Sequence, residues 1–487
     1  MNIEEFRKRG YEAIDRICRY YGELDSVKVL PEVKPGYLKK LLPKHAPEEA
    51  EPWEDIQADF ESTILPGVTH WQSPNFFAFY PANSSFPAII ADMFSDMINC
   101  VGFNWICSPA CTELETIVLD WVSRLIGLDD GYLSDGEGGG VIQGTASEAV
   151  LVVMLAARQR VIDEYKKRGY TEEDIVTKLI AYGSDQAHSA VEKASMIVNC
   201  KFKALPSDDE FCLRGSSVRS MMEKDIEEGL IPFFITATIG TTSSAATDYI
   251  DEIACTLEGT SVWLHIDAAY AGAALICPEY QYLLKGVDRS QSFNINMHKW
   301  LLTNFDCSCL WVRKRSHLLN ALSLTPAFLR NTASDSGLVI DYRDWQIPLG
   351  RRFRSLKIWF VLRAFGANGL REHIRKSVKL ARRFEEELSK YPNYFAVTTK
   401  PAFSLVCFHL KPQKKTNMTS NELTAALYNG INNSRELYVT QTKLGSQTVI
   451  RFVVGSPWTA ERHVVDAVKK IVDFTEAIIK DVELTIE

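Results

Sequence analysis

No run of apolar residues in this chain approaches the length of a membrane span. The longest, such as AVLVVMLAA beginning at Ala149, fall well short of the roughly 18 residues a spanning helix needs, so no membrane partner is expected. The first residues, MNIEEFRKRGYEAIDRI, form a charged amphipathic pattern without the apolar centre of a secretory signal. Positive charge is not in excess either. The net charge is −8 with no basic stripe, which argues against nucleic acid as a partner. The eleven cysteines follow no pairing logic. Cys107 with Cys111, and Cys307 with Cys309, lack a second Cys/His pair at zinc spacing. They read as reduced core thiols of a cytoplasmic protein, with no metal. Internal repeats, low-complexity tracts and a dinucleotide-type GxGxxG after a strand are also missing.

What is present is ordinary globular material: 487 residues, 46% hydrophobic and 24% charged. That length exceeds one simple core and suggests two or three domains. Residues 1–22 carry a helical pattern with Phe6, Ile14, Ile17 and Tyr21 on one side. A proline-rich arm follows. From about residue 110, helical stretches alternate with short apolar strands: KLIAY (178–182), PFFITATI (232–239), SVWLHI (261–266) and SCLWV (308–312). This alternation predicts an α/β fold with a mostly parallel sheet. Residues 323–345 show no sustained period, as a lid loop would. Beyond it, a long helical pattern, the strands FSLVCFHL and TVIRFVV, and a last helix with Val464, Val468, Ile471 and Val472 on one face predict a smaller α/β domain.

The stretch NINMHKWLLTNFD (294–306) sets His298 and Lys299 against Trp300, Leu301 and Leu302. An isolated HKW is usually a snorkelling surface lysine. The alternative is a lysine kept neutral as a nucleophile toward a carbonyl. Other polar residues fall at strand ends, where ligands of open parallel sheets sit. Asp267 follows SVWLHI, His188 follows KLIAY, Thr241 and Thr242 follow TATIG, and Lys299 follows SFNINM. Any one alone has a plain reading as a helix cap or a core residue. Upstream, DGEGGGVIQGTASEAV places glycines and Thr145, Ala146 and Ser147 before a helix, either a simple turn with its cap or a phosphate cradle. A phosphate site, a carboxylate, an imidazole and a lysine together suit pyridoxal phosphate. Lys299 would form the imine, with its pKa lowered by apolar surroundings. Asp267 would keep the ring nitrogen protonated, and His188 would stack on the ring face and help to place the substrate carboxylate.

The motifs LPGVTHWQSPNFFAFYP, GVIQGTASEA, SDQAHSA, HIDAAYAG, NMHKW and DYRDWQIPLGRRFRSLK together resemble the pyridoxal-phosphate-dependent aromatic L-amino-acid decarboxylases. That group includes animal dopa decarboxylases and plant and fungal tryptophan or tyrosine decarboxylases, and the likeness runs from the first helix to about residue 475. The resemblance implies fold type I, with a large, mostly parallel seven-stranded sheet domain and a small C-terminal α/β domain. It divides the chain into an N-terminal helical arm packing on a partner subunit (1–83), the cofactor-binding domain (84–355) and a small domain (356–487). It implies a homodimer with shared active sites. It assigns Ala146, Ser147 and Asn296 to the phosphate, Thr242, Asp267, His188 and His298 to the rest of the cofactor site, and Lys299 to the imine. The implied substrate pocket comprises Trp71, Phe79, Tyr80, Pro81, Val101, Phe103 (from the other chain) and Gly350, the glycine favouring indole over phenol rings. The apolar wall offers no basic group for a glutamate side chain.

One departure stands out. Family decarboxylases carry tyrosine in TP-x-Y-L-[KR], whereas TPAFLRN here has Phe328. A phenol can return a proton to the substrate Cα after CO2 leaves; a phenyl ring cannot. Relatives with this change resemble plant aromatic aldehyde synthases, which yield aldehyde, ammonia and hydrogen peroxide. The expectation is decarboxylation of aromatic L-amino acids followed by oxidative deamination. The alternative is simple amine release, with water or His188 supplying the proton.

Overall fold

The computed structural model describes residues 1–324, 329, 331–335, 339–413 and 416–486. The chain forms two compact units. One comprises Met1–Pro81, Leu380–Thr398 and Val406–Glu487; the other comprises Ala82–Lys379 and Thr399–Leu405. Five helices matter below: α1 (Ile3–Glu23), α2 (Ala146–Lys167), α3 (Met297–Trp300), α4 (Ser355–Leu388) and α5 (Glu461–Ile486).

The larger unit is built on β1 (Gly139–Gln143), β2 (Leu179–Ser184), β3 (Lys201–Leu205), β4 (Ile231–Thr238), β5 (Trp263–Asp267), β6 (Ser292–Asn296) and β7 (Ser308–Val312). They form one seven-stranded sheet in the order β1-β7-β6-β5-β4-β2-β3. The run from β3 to β6 is parallel. β7 is antiparallel to both β6 and β1, so the sheet is mixed. The connection 297–307 is too short for the crossover that a parallel return requires, so the chain must turn back beside β6. Every residue of β1, β2, β6 and β7 is buried, which accounts for their continuous apolar character. Val150, Val153, Met154, Ala157 and Val161 of α2 join Phe234 of β4, Trp263 of β5 and Leu310 of β7 in one core.

The smaller unit holds β8 (Phe395–Val397), β9 (Leu405–Leu410), β10 (Thr440–Leu444) and β11 (Gln447–Val453) in the order β10-β11-β9-β8. Its core stacks Phe384 on Phe452 at 3.7 Å and buries Val464, Val468 and Ile471 of α5. The helical pattern that runs unbroken through α4 in the sequence is interrupted at Gly366, whose φ of 61° and ψ of 175° are tolerated because glycine has no Cβ. No residue of α1 is buried; Phe6 is 68% and Ile14 37% exposed. All cysteines are free, and Cys18, Cys107 and Cys255 are exposed rather than in the core. Among the described residues no helix is long and apolar enough to cross a membrane.

Candidate active site

The sheet delivers the polar residues to one end. β1 stops at Gln143, and Gly144 and Thr145 turn the chain into α2. Thr145 Oγ1 accepts the Glu148 amide at 3.3 Å as an N-cap, and Glu148 Oε2 accepts the Gly144 amide at 2.9 Å. The Ala146 and Ser147 amides then open a 22-residue helix without intrahelical acceptors, which makes a dipole-assisted anion seat. A Cβ on Gly144 would stand 3.1 Å from Glu148 Oε2 and 3.4 Å from Asp306 Oδ2, so glycine is what lets the turn pass between two carboxylates. Asp306 is neutralised by Arg354, with Nη2–Oδ2 at 2.9 Å and Nε–Oδ1 at 3.2 Å, and this pairing holds its pKa below the usual range against burial.

The neighbouring strand ends supply the rest. Asp267 closes β5, with Oδ1 accepting the Ala269 amide at 2.9 Å. His188 follows β2 and is exposed. Its Nδ1 accepts the Ala190 amide at 3.0 Å. Partial burial lowers its pKa, Asp267 opposes that shift and Lys299 adds to it, so the three groups lie within one electrostatic neighbourhood. Thr242 is exposed in the turn after β4, where Thr241 Oγ1 lies 3.1 Å from Ser244 Oγ. β6 runs into α3, which carries His298 and Lys299. Lys299 is half-buried. His298 is buried; its Nδ1 accepts the Cys307 amide at 2.8 Å, and burial, with Lys299 nearby, pushes its pKa down to about 4. Asn296 is 4% exposed, and its Oδ1 makes no hydrogen bond to a described residue. An anion seat, a carboxylate, a neutral imidazole and an amine at one sheet end suit a ligand bearing a phosphate, a basic ring nitrogen and a carbonyl.

Of the expected substrate wall, Val101, Phe103 and Gly350 belong to the larger unit. A Cβ on Gly350 would meet Val101 Cγ1 at 3.6 Å, so these two are neighbours with room for one methyl group. Phe103 is half-buried, and its carbonyl accepts the Arg343 amide at 3.0 Å. Trp71, Phe79, Tyr80 and Pro81 belong to the smaller unit. There Trp71 stacks on Phe76 at 4.7 Å and on Phe79 at 5.7 Å. Tyr80 is buried with Arg451 4.8 Å over its ring, and burial pushes its pKa up to about 12. Phe328 lies outside the described residues.

Sequence reasoning did not find the buried Glu115–Arg351 ion pair. Glu115 Oε1 also accepts the Ile142 amide of β1 at 2.8 Å, while Arg351 donates to Gln346 Oε1 at 2.5 Å and lies 4.8 Å over the Tyr342 ring. The pair ties the Gly350 segment to the strand that precedes the anion seat. Glu148, three residues after Thr145, was legible as a capping pattern.

The conserved domain of pyridoxal-dependent decarboxylases matches residues 35–411. The chain is 48% identical to the aromatic-L-amino-acid decarboxylase of Mus musculus, with 99% of each chain covered. It is 47% identical to the phenylacetaldehyde synthase of Arabidopsis thaliana, over 97% of this chain and 96% of that one. A crystal structure of Oryza sativa TDC with PLP and tryptamine superposes with a TM-score of 0.95 at 38% identity, over 98% of this chain and 99% of that one. With that match, and with a set of side chains suited to this cofactor at the end of its sheet, the chain belongs to the pyridoxal-dependent decarboxylases, a family of fold type I pyridoxal-phosphate enzymes.

Proposed function

We propose that this enzyme acts on aromatic L-amino acids and, after CO2 is lost, converts the remainder to the aryl acetaldehyde with O2 rather than releasing the amine. The observation that carries the second half is Phe328, which stands where family decarboxylases have tyrosine. The overall reaction balances as amino acid plus O2 plus H2O giving aldehyde, CO2, ammonia and hydrogen peroxide. Support for the first half comes from the aromatic-lined segments and from relatives named for aromatic substrates on both the decarboxylase and the aldehyde-synthase side.

Pyridoxal phosphate, when bound, supplies the carbonyl that takes up the substrate amine and the ring that withdraws the electron pair left by CO2. The chain supplies placement and protons. The Ala146 and Ser147 amides and the Asn296 side chain hold the phosphate. Asp267 holds a proton at the ring nitrogen, with Thr242 also on the ring; His298 belongs to the cofactor site, and Lys299 provides the amine that carries the cofactor between turnovers. His188 covers the ring face and orients the substrate carboxylate. We assign Trp71, Phe79, Tyr80, Pro81, Val101, Gly350 and, from the second copy of the chain, Phe103 to binding the aromatic side chain. Phe328 offers no proton to Cα, which leaves that carbon open to oxygen. We further assign residues 1–83 to packing on a second copy of the chain, residues 84–355 to cofactor binding and residues 356–487 to the small domain, in a cytoplasmic homodimer that shares its active sites.

The test is product analysis. Incubation with L-Phe, L-Tyr, L-Trp and L-dopa in air is followed for amine, aldehyde and peroxide together. Aldehyde and peroxide in equal amounts are expected, with Phe328→Tyr restoring amine. Amine alone from the unmodified enzyme would mean that water or His188 protonates Cα.

A further inference from the structure

Behind Asp267 the sheet carries a buried polar file that the proposed chemistry does not use. His265 and Asp267 are two residues apart on β5, so their side chains share a face of the sheet. Ser292 and Asn294 of β6 are their in-register neighbours across a parallel pairing. His265, Ser292 and Asn294 are all fully buried. The Trp263 indole donates Nε1–H to Ser292 Oγ at 2.8 Å, and the same Oγ lies 2.8 Å from His265 Nδ1. On the other side of the imidazole, Nε2 and both amide atoms of Asn294 make no hydrogen bond of normal geometry to a described residue. Buried polar groups are seldom left so, and three adjacent ones imply a shared purpose.

The direction of the file follows from what each group can do. An indole N–H only donates, so Ser292 Oγ accepts from Trp263. Among the described residues His265 Nδ1 is the remaining partner of that hydroxyl, so the Ser292 proton is given to Nδ1. Burial pushes the His265 pKa down to about 4, with Asp267 and Asn294 nearby opposing the shift, so the ring is neutral and carries a single proton. With Nδ1 accepting, that proton sits on Nε2 and points toward the Asn294 carbonyl oxygen. The Asn294 NH2 is then left facing Asp267, the residue it pairs with across β5 and β6. We propose that Trp263, Ser292, His265 and Asn294 form a one-way series of donors directed at the Asp267 carboxylate, and that His265 and Asn294 are positioning residues which keep Asp267 ionised. A carboxylate given an additional donor stays charged more readily. A series of aligned hydrogen bonds strengthens each member in a medium of low dielectric. The inference rests on the reading above that Asp267 faces the ring nitrogen of the cofactor.

The experiment compares holoenzymes of His265→Leu, His265→Gln, Asn294→Leu and Asp267→Asn. For each, kcat and KM, the cofactor content and the pH dependence of its visible absorption are measured. Both Leu variants are expected to lose about tenfold or more in kcat, with KM within about twofold and the absorption titration displaced. Glutamine, which retains an acceptor and a donor in one planar group, is expected to recover most of the loss at position 265. A Leu variant with the unmodified kcat and absorption profile would overturn the proposal. So would equal damage from Leu and Gln at 265, including failure of both to fold or to load cofactor, since that is what a packing role gives. Asp267→Asn separates the two readings. If it is inactive while the Leu variants are normal, only the donor series fails; if it turns over normally, the assignment of Asp267 fails and takes this proposal with it.

Discussion

Arg351 and Glu115 are each 1% exposed at the side chain, and a charge in that position survives only with its partner. Arg351→Met leaves Glu115 buried and unpaired, and is expected to cost about 3–5 kcal/mol in denaturant unfolding. Loss below about 1 kcal/mol would mean that the Ile142 amide and neighbouring dipoles already stabilise the carboxylate. Close by, Gly350→Ala adds a methyl group 3.6 Å from Val101 Cγ1, an ordinary contact, so folding is expected to be unchanged. If Gly350 leaves room for the larger ring, KM for L-Trp rises more than KM for L-Phe; parallel changes would remove Gly350 from the specificity argument. At this scale the site was half legible. His188, Asp267 and Lys299 each follow an apolar strand, so position along the chain alone marks them. Glu115 and Arg351 are 236 residues apart, and nothing local to either announces the other.

Element identity was legible wherever apolar content and period agreed. SCLWV is β7 residue for residue, and KLIAY and PFFITATI fall within a residue or two of β2 and β4. β1 was not, because GGVIQ within a glycine-rich stretch reads as a turn. The reason is packing: a Cβ on Gly140 would lie 2.8 Å from Trp311 Nε1 and 3.0 Å from Leu119 Cβ, so β1 is glycine-rich in order to lie close to β7 and its covering helix. β3 was missed because KFKAL is a sheet edge with mostly uncovered side chains. The direction of β7 was hidden as well, since a strand's sequence does not encode which way its neighbour runs. The junction of β1 with α2 allows a test on the element itself. Thr145→Ala removes the N-cap and is expected to cost about 1 kcal/mol of stability. It should also weaken pyridoxal-phosphate retention, because the same turn presents the Ala146 and Ser147 amides. Stability lost with cofactor affinity unchanged, measured by reconstitution of the apo-protein, would show that α2 holds the amides in place without its cap.

For the molecule as a whole, acid lability follows from its buried imidazoles. Burial pushes His265, His298 and His317 down to about 4 and His373 to about 3. A histidine with a depressed folded pKa binds fewer protons in the native than in the unfolded state between that value and about 6.5. Its contribution is therefore complete above about pH 6.5 and is withdrawn as the pH falls toward 4. For the fully buried His265 and His373 this amounts to roughly 3 kcal/mol each at pH 4. Asp248 works the other way. Burial raises its carboxyl to about 7 in spite of the Leu213 and Thr238 amides it accepts, so the native state keeps a proton that the unfolded chain releases near 4. Its contribution favours the native state in acid and fades as the pH rises from about 4 to 7. Asp344, also raised by burial, acts in the same direction as Asp248, and the four imidazoles outweigh these two carboxyls. Urea unfolding of the holoenzyme at a series of pH values is expected to show stability dropping by several kcal/mol between pH 6.5 and 4.5. His373→Leu, which removes from the larger unit a buried ring nitrogen with no partner among the described residues, should flatten part of that drop. A midpoint that holds steady over the same interval would mean that the native chain opens a path for protons to these rings and keeps them charged at little expense.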